Sequence, residues 1–162
     1  MAADPSDQFK VAGALYSKSV DLANAGNYSG ALDLSDQALA MNVTSLIPLI
    51  QANRAGVLVM LGRFSEANAA ADVALNSDEN LTSVHSITWF NKGNALRSLG
   101  RFEEAKTAYA KAYALDKSLV PPDMSQATTM PTTPPKSPVG WITAPTAISL
   151  VALFVWLRYK WK

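Results

Sequence analysis

The chain repeats one pattern three times: a glycine, an aromatic residue two positions later, and an alanine three positions after that. The glycines are Gly26, Gly62 and Gly100, spaced 36 and 38 residues apart, and a helix-forming stretch lies on each side of every one. A repeat of this length marks a unit that cannot bury its apolar side alone. The spacing therefore favours stacked helical hairpins over an ordinary helical bundle.

The pattern predicts two helices per repeat, joined at a glycine that can adopt a positive φ cheaply. Asp4 followed by Pro5 is typical of a helix start, with a capping carboxylate before proline at the first helical position. The predicted fold class is all-α: a three-repeat α-solenoid of six antiparallel helices, followed by one C-terminal transmembrane helix. The predicted helices span residues 5–25, 28–41, 46–61, 64–76, 84–99 and 102–116.

These residues resemble the tetratricopeptide repeat (TPR). The third repeat is the best match within the chain, with Trp89, Gly93, Gly100, Phe102 and Ala105 at positions of the family pattern. The first two repeats depart from the pattern at the positions of the tryptophan and of the first glycine. The resemblance predicts a TPR-like domain over residues 1–118, with repeats at about 6–44, 45–82 and 83–118.

In the resembled family, the first helix of each repeat lines a groove that holds a peptide or a partner helix. Some members clamp an acidic C-terminus with paired basic and amide side chains, but Tyr16, Val20, Phe90 and Asn94 occupy those positions here, so an acidic-tail clamp is disfavoured. The expected groove is mostly apolar, with one base, and suits an amphipathic helix or an extended apolar segment. The groove residues implied by the resemblance are Tyr16, Val20, Asn24, Ala52, Gly56, Val59, Met60, Phe90, Asn94, Arg97 and Ser98.

The chain after the repeats changes character twice. Residues 119–140 contain six prolines and many threonines, which predicts an extended linker. Residues 141–157, WITAPTAISLVALFVWL, carry no charge and have the minimum length of a spanning helix, with tryptophans at both ends. A basic tail, residues 158–162, follows. The alternatives are a buried core helix or an amphipathic helix lying on the membrane surface.

The bases around the apolar segment predict its orientation. One, Lys136, precedes it and three follow it, which places the C-terminus in the cytoplasm and the repeats outside the cell. Asn27, Asn42 and Asn80 lie in N-glycosylation acceptor sequences, which agrees with export, although asparagine also favours turns. The stalk and anchor loosely resemble those of archaeal surface proteins.

The inventory of reactive side chains argues against catalysis. The chain has no cysteine and one histidine, His85, so thiolate chemistry and multi-histidine metal sites are excluded. No glycine-rich phosphate loop follows a strand. No basic patch with interleaved aromatics is present, which argues against nucleic acid as a partner. We therefore expect no enzyme activity, no cofactor, no metal and no small-molecule substrate.

Three functions remain open. The first is a membrane-anchored module that binds a peptide or helix of a partner protein outside the cell. The second is a structural subunit of a membrane complex or homopolymer, in which the repeats of neighbouring chains stack. The third is a tail-anchored adaptor facing the cytosol, like the mitochondrial fission adaptor, although such proteins lack this proline- and threonine-rich stalk.

Overall fold

The computed structural model describes residues 4–77 and 81–123. These residues form the six predicted α-helices, and the first and last residue of every helix lie within two positions of those expected. A short 3₁₀ turn at Thr44–Leu46 is not among the predicted elements. The helices are α1 (Pro5–Asn24), α2 (Tyr28–Ala40), α3 (Ile47–Met60), α4 (Phe64–Leu75), α5 (Thr82–Ser98) and α6 (Phe102–Leu115).

The helices pair as three hairpins, α1 with α2, α3 with α4 and α5 with α6, and consecutive hairpins pack on each other. The prediction of an all-helical TPR-like solenoid is confirmed for this part of the chain. The hairpins belong to one compact unit. No helix within residues 4–77 and 81–123 is long and apolar enough to cross a membrane. The predicted linker beyond residue 123, the apolar segment 141–157, the tail 158–162 and Asn80 lie outside the described residues.

Each hairpin turns at its glycine in the same way. Gly26, Gly62 and Gly100 have φ values of +80°, +73° and +76°, a left-handed conformation that costs other residues more. In each turn the residue after the glycine donates its N–H to a carbonyl five residues earlier, at 2.8–2.9 Å, which closes a Schellman motif. The first helix begins as predicted, because the Asp4 carboxylate accepts a hydrogen bond from the Ser6 N–H at 2.9 Å.

Small side chains let the two helices of each hairpin approach closely. One pair of equivalent positions, seven residues before the glycine and nine residues after it, holds residues of different size in the three hairpins. In the third hairpin the pair is Gly93 and Tyr109, and a Cβ built on Gly93 would lie 2.6 Å from the tyrosine Cε1. The corresponding pairs are Ser19 with Ser35, whose hydroxyls are 2.8 Å apart, and Ala55 with Ala71, both fully buried.

Ion pairs join consecutive hairpins at equivalent positions. Arg54 of α3 donates to the Asp36 carboxylate of α2 at 2.8 Å, and Lys92 of α5 pairs with Asp72 of α4. Both acids stand ten residues after the glycine of their own hairpin, and both bases stand eight residues before the next glycine. Since these pairs are partly exposed, each contributes about 1 kcal/mol or less. They nevertheless show that both junctions have the same helix register.

Candidate binding groove

A groove of about 450 Å³ runs along the first helices of the three hairpins. Its walls come from α1, α3 and α5, and Tyr28 at the start of α2 closes part of one side. The α3 part of the lining includes the small residues Ala52 and Gly56. The volume matches a pocket for a few side chains, since ligand pockets commonly measure about 300–1,000 Å³.

Eight of the eleven sequence-predicted groove residues lie together in this lining. They come from all three first helices, and they are Tyr16, Val20, Asn24, Ala52, Gly56, Val59, Met60 and Asn94. Met60 is open to solvent, with 59 % of the residue exposed. Whether these side chains bind a partner stays a prediction.

Phe90, Arg97 and Ser98 lie outside this lining because of the way α5 packs at the end of the stack. Phe90 packs edge-on against Tyr109, with ring centroids 5.4 Å apart, and belongs to the apolar cluster of the last hairpin. Arg97 and Ser98 are exposed in the last turn of α5. α5 packs on the side of α3 that carries Gly56, whereas no helix among the described residues packs on the equivalent side of α5. Other residues of the third repeat, Asn94 among them, still line the groove, whereas these three lie on a side of α5 that the stack leaves open.

Four asparagines stand in the otherwise apolar lining. Asn53 is held from within, because its Nδ2 donates to the hydroxyls of Ser19 at 2.8 Å and Ser35 at 3.4 Å. Asn94 accepts a hydrogen bond from the Tyr109 hydroxyl at 2.8 Å. Asn91 lies over the backbone of α3, since a Cβ built on Gly56 would come within 2.9 Å of its Nδ2.

The side-chain amides of Asn24 and Asn91 make no hydrogen bond within residues 4–77 and 81–123. A carboxamide offers two donors and one acceptor oxygen, which matches the N–H and C=O groups of a peptide backbone. An extended segment leaves those groups unpaired, so side-chain amides beside apolar walls can hold its main chain while the walls receive its side chains. The groove thus has the chemistry to hold an extended peptide.

None of the described residues that line the groove is charged. Burial raises the pKa of the Tyr16 hydroxyl above its ordinary value, so this group stays protonated and can donate a hydrogen bond at neutral pH. An acidic ligand would lose its hydration there without meeting a base, which is costly. The lining therefore favours uncharged side chains in a ligand.

Eight residues of the lining are not among those that the sequence predicts. Three of them, Leu49, Val84 and Ile87, belong to turns of α3 and α5 nearer the helix starts than the groove positions that the resemblance implies. The place of Asn91 in the lining has a trace in the sequence, because the small Gly56 on the neighbouring helix leaves room for its carboxamide. The full set is Ala23, Tyr28, Leu49, Asn53, Val57, Val84, Ile87 and Asn91.

Comparison with known proteins agrees with this architecture. Two profiles described as "Tetratricopeptide repeat" match residues 16–81 and 86–119, together more than half of the 162 residues. The chain contains a tetratricopeptide-repeat domain. No curated protein matches the chain. Among solved structures it is similar to the first TPR of Spaghetti (RPAP3) bound to HSP90 peptide SRMEEVD, with a TM-score of 0.57, 23 % identity, and coverage of 74 % of this chain and 86 % of that one. This likeness concerns the fold of the TPR domain.

Proposed function

We propose that the TPR domain is a protein-binding module whose groove holds an extended, uncharged segment of a partner protein. The observation that carries the proposal is the uncharged groove itself, with apolar walls and two asparagines, Asn24 and Asn91, whose amides are available to a peptide backbone. The similar TPR of Spaghetti is described with a bound peptide, which supports a peptide as the kind of ligand. The proposed activity is the binding of a peptide segment, and it includes no catalytic step.

The sequence of the ligand should differ from that of the peptide named for the neighbour. SRMEEVD carries three acidic side chains, and the groove of this chain has no base in its described lining. Moving carboxylates into such a site costs several kcal/mol unless they are paired. A segment with small or branched apolar side chains is the expected ligand, held by its main chain and by contacts with Val20 and Val59.

Peptide display against the full-length chain tests this proposal. We expect selected peptides to be poor in acidic residues, and we expect fluorescent SRMEEVD to show no saturable binding. Val20→Glu, which places a charge in the groove, should abolish capture of the selected peptides. Val73→Glu is the matched control, because Val73 is exposed on α4 outside the lining. Selected peptides that bind equally well to the Val20 variant would refute the groove as their site.

We further propose that residues 141–157 anchor this module in a membrane, with the repeats outside the cell. The uncharged length of that segment, its terminal tryptophans and the three bases that follow it support the proposal. Asn27 and Asn42 are both exposed, so the structure leaves room for glycans at these two acceptor sequences. Retention of the chain in membranes after alkaline extraction, and removal of the repeats by protease added to intact cells, are the expected results. Full protection of the repeats would reverse the proposed orientation.

A further inference from the structure

The two internal junctions of the stack show how a further helix would lie on the last hairpin. The pairs Asp36–Arg54 and Asp72–Lys92 join the second helix of one hairpin to the first helix of the next. They therefore define one register for a helix that packs on the preceding hairpin. The equivalent acid position in the last hairpin is Ala110, ten residues after its glycine. The equivalent base position in the first hairpin is Lys18, eight residues before its glycine. A further unit in the same register would therefore set Lys18 of its α1 opposite Ala110.

The last hairpin leaves one side uncovered, which we call the terminal face: Phe90, Lys106, Ala110 and Tyr113. In the first hairpin the position of Lys106 is Leu32, which is buried in one cluster with Val57 and Leu58 of α3. The position of Tyr113 is Leu39, which packs in a cluster with Ile50 of α3. With no described helix on it, Tyr113 is 40 % exposed.

The first hairpin has the opposite surface, which we call the leading face: Gly13, Ala14, Lys18 and Asp21. Ala14 and Asp21 occupy the positions that Ile50 and Val57 hold in α3, where both are buried against the preceding hairpin. Here Ala14 and Asp21 are exposed. A Cβ built on Gly13 meets no atom within 4 Å, so space is open beside this glycine.

The side chains of the two faces are complementary in size and charge. In the register of the internal junctions, Leu39 and Ile50 share a cluster, and the same two positions on the faces hold the large Tyr113 and the small Ala14. Leu32 and Val57 share a cluster, and their counterparts are Lys106 and Asp21, which carry opposite charges; within one molecule Lys106 pairs with Glu103 of its own helix. A bulky residue would thus meet a small one, and a base would meet an acid.

A third pair follows from the contact between neighbouring first helices. Gly56 of α3 faces Asn91 of α5, so one turn earlier along these helices Ala52 faces Ile87. The counterparts on the terminal and leading faces are Phe90 and Gly13. The open space at Gly13 would receive the phenylalanine ring.

We propose that a second copy of this chain docks its leading face on the terminal face, so that the helical stack continues from one molecule into the next. The contact uses two different surfaces, and each added copy offers a new terminal face. Such a head-to-tail contact builds open chains of molecules unless its rotation closes a ring. Stacked repeats tolerate this growth, because each hairpin contacts only its neighbours. The leading and terminal faces share no residue with the lining of the peptide groove. Loss of docking would therefore leave peptide binding intact, and loss of peptide binding would leave docking intact.

Cysteine crosslinking of the full-length chain in detergent micelles tests the register directly, because the chain has no cysteine of its own. The double variant Lys18→Cys with Ala110→Cys, treated with a short bis-maleimide, should give a ladder of dimers, trimers and longer species. Asp36→Cys with Arg54→Cys has the same relative positions inside one molecule and should crosslink without a ladder. Gln37→Cys with Ala110→Cys is the negative control, since Gln37 is exposed on α2 away from both faces. A Lys18 and Ala110 ladder no stronger than this control would overturn the proposal.

Substitutions on the faces then separate this contact from association through any other part of the chain. Gly13→Leu fits the isolated molecule but fills the space for Phe90, so the ladder should disappear while helical content and thermal unfolding stay intact. Asp21→Lys and Lys106→Asp should each weaken the ladder, and the two together should restore it by exchanging the charges. A ladder that persists unchanged in the Gly13 variant would place the contact elsewhere and refute the docking of these faces.

Discussion

Alanine at position 93 tests whether the hairpins are held by matched side-chain sizes. A Cβ on Gly93 would lie 2.6, 2.7 and 3.0 Å from three ring atoms of Tyr109. The ring cannot move aside easily, because it is 1 % exposed and its hydroxyl donates to Asn94 at 2.8 Å. Gly93→Ala therefore forces either the ring or α5 to shift.

The magnitude follows from two opposing effects. Overpacking of a well-filled core costs about 1–3 kcal/mol, while alanine in place of glycine within a helix contributes about 1 kcal/mol. The net effect of Gly93→Ala is a loss of up to about 2 kcal/mol in the free energy of unfolding. Gly13→Ala is the matched control, since it makes the same change in α1 with no atom within 4 Å of the new Cβ. That variant should gain about 1 kcal/mol.

Thermal and denaturant unfolding followed by circular dichroism measure the difference. The two alanine variants should differ by about 1–3 kcal/mol, which corresponds to several degrees in Tm for a domain of this size. Adding Tyr109→Leu to Gly93→Ala should cost less than the sum of the two single changes, because the smaller side chain removes the clash. Equal stability of the two alanine variants would refute the size-matching argument.

Three further predictions concern the interior and the junctions. Ser19→Ala removes the acceptor of the Asn53 amide, and we expect a loss of about 1–3 kcal/mol by denaturant unfolding; no loss would mean that the buried network contributes nothing. Burial raises the pKa of Tyr109 above its ordinary value of 10.0, so its stabilising contribution is complete below about pH 10 and is lost as the pH rises above that. Melting curves at about pH 9 and 11 should therefore show a smaller drop in Tm for Tyr109→Phe than for the wild type, although the variant starts from a lower value. Arg54→Met should change stability by no more than about 1 kcal/mol, since the Asp36 carboxylate that it leaves unpaired is half-exposed; a much larger loss would show that this ion pair does more than set register.

The helices were predictable from the sequence because their boundaries have local causes. Each glycine turn depends on one residue that tolerates a positive φ, and the first helix depends on one capping carboxylate, so short sequence windows contain the needed information. The turn at Thr44–Leu46 was missed because it ends directly at α3, where the apolar pattern continues without a break.

The lining of the groove was only partly predictable because it depends on distances between helices that are far apart in sequence. The family pattern gives equivalent positions in the three repeats the same role. Phe90 nevertheless packs against Tyr109, because Gly93 leaves space for the tyrosine ring beside α5. Asn91 enters the lining because Gly56, thirty-five residues earlier, has no side chain. Both outcomes depend on the size of a partner residue, which periodicity alone does not report.

The three unequal pairs inside the hairpins also bear on how such a chain can change over time. Ser19 with Ser35, Ala55 with Ala71, and Gly93 with Tyr109 fill the same location with different volumes. A whole hairpin can be duplicated or transplanted because it brings both members of its pair along. A single residue copied from one repeat to another does not match the size of its new partner. We therefore expect the two positions of each pair to vary together among relatives of this chain.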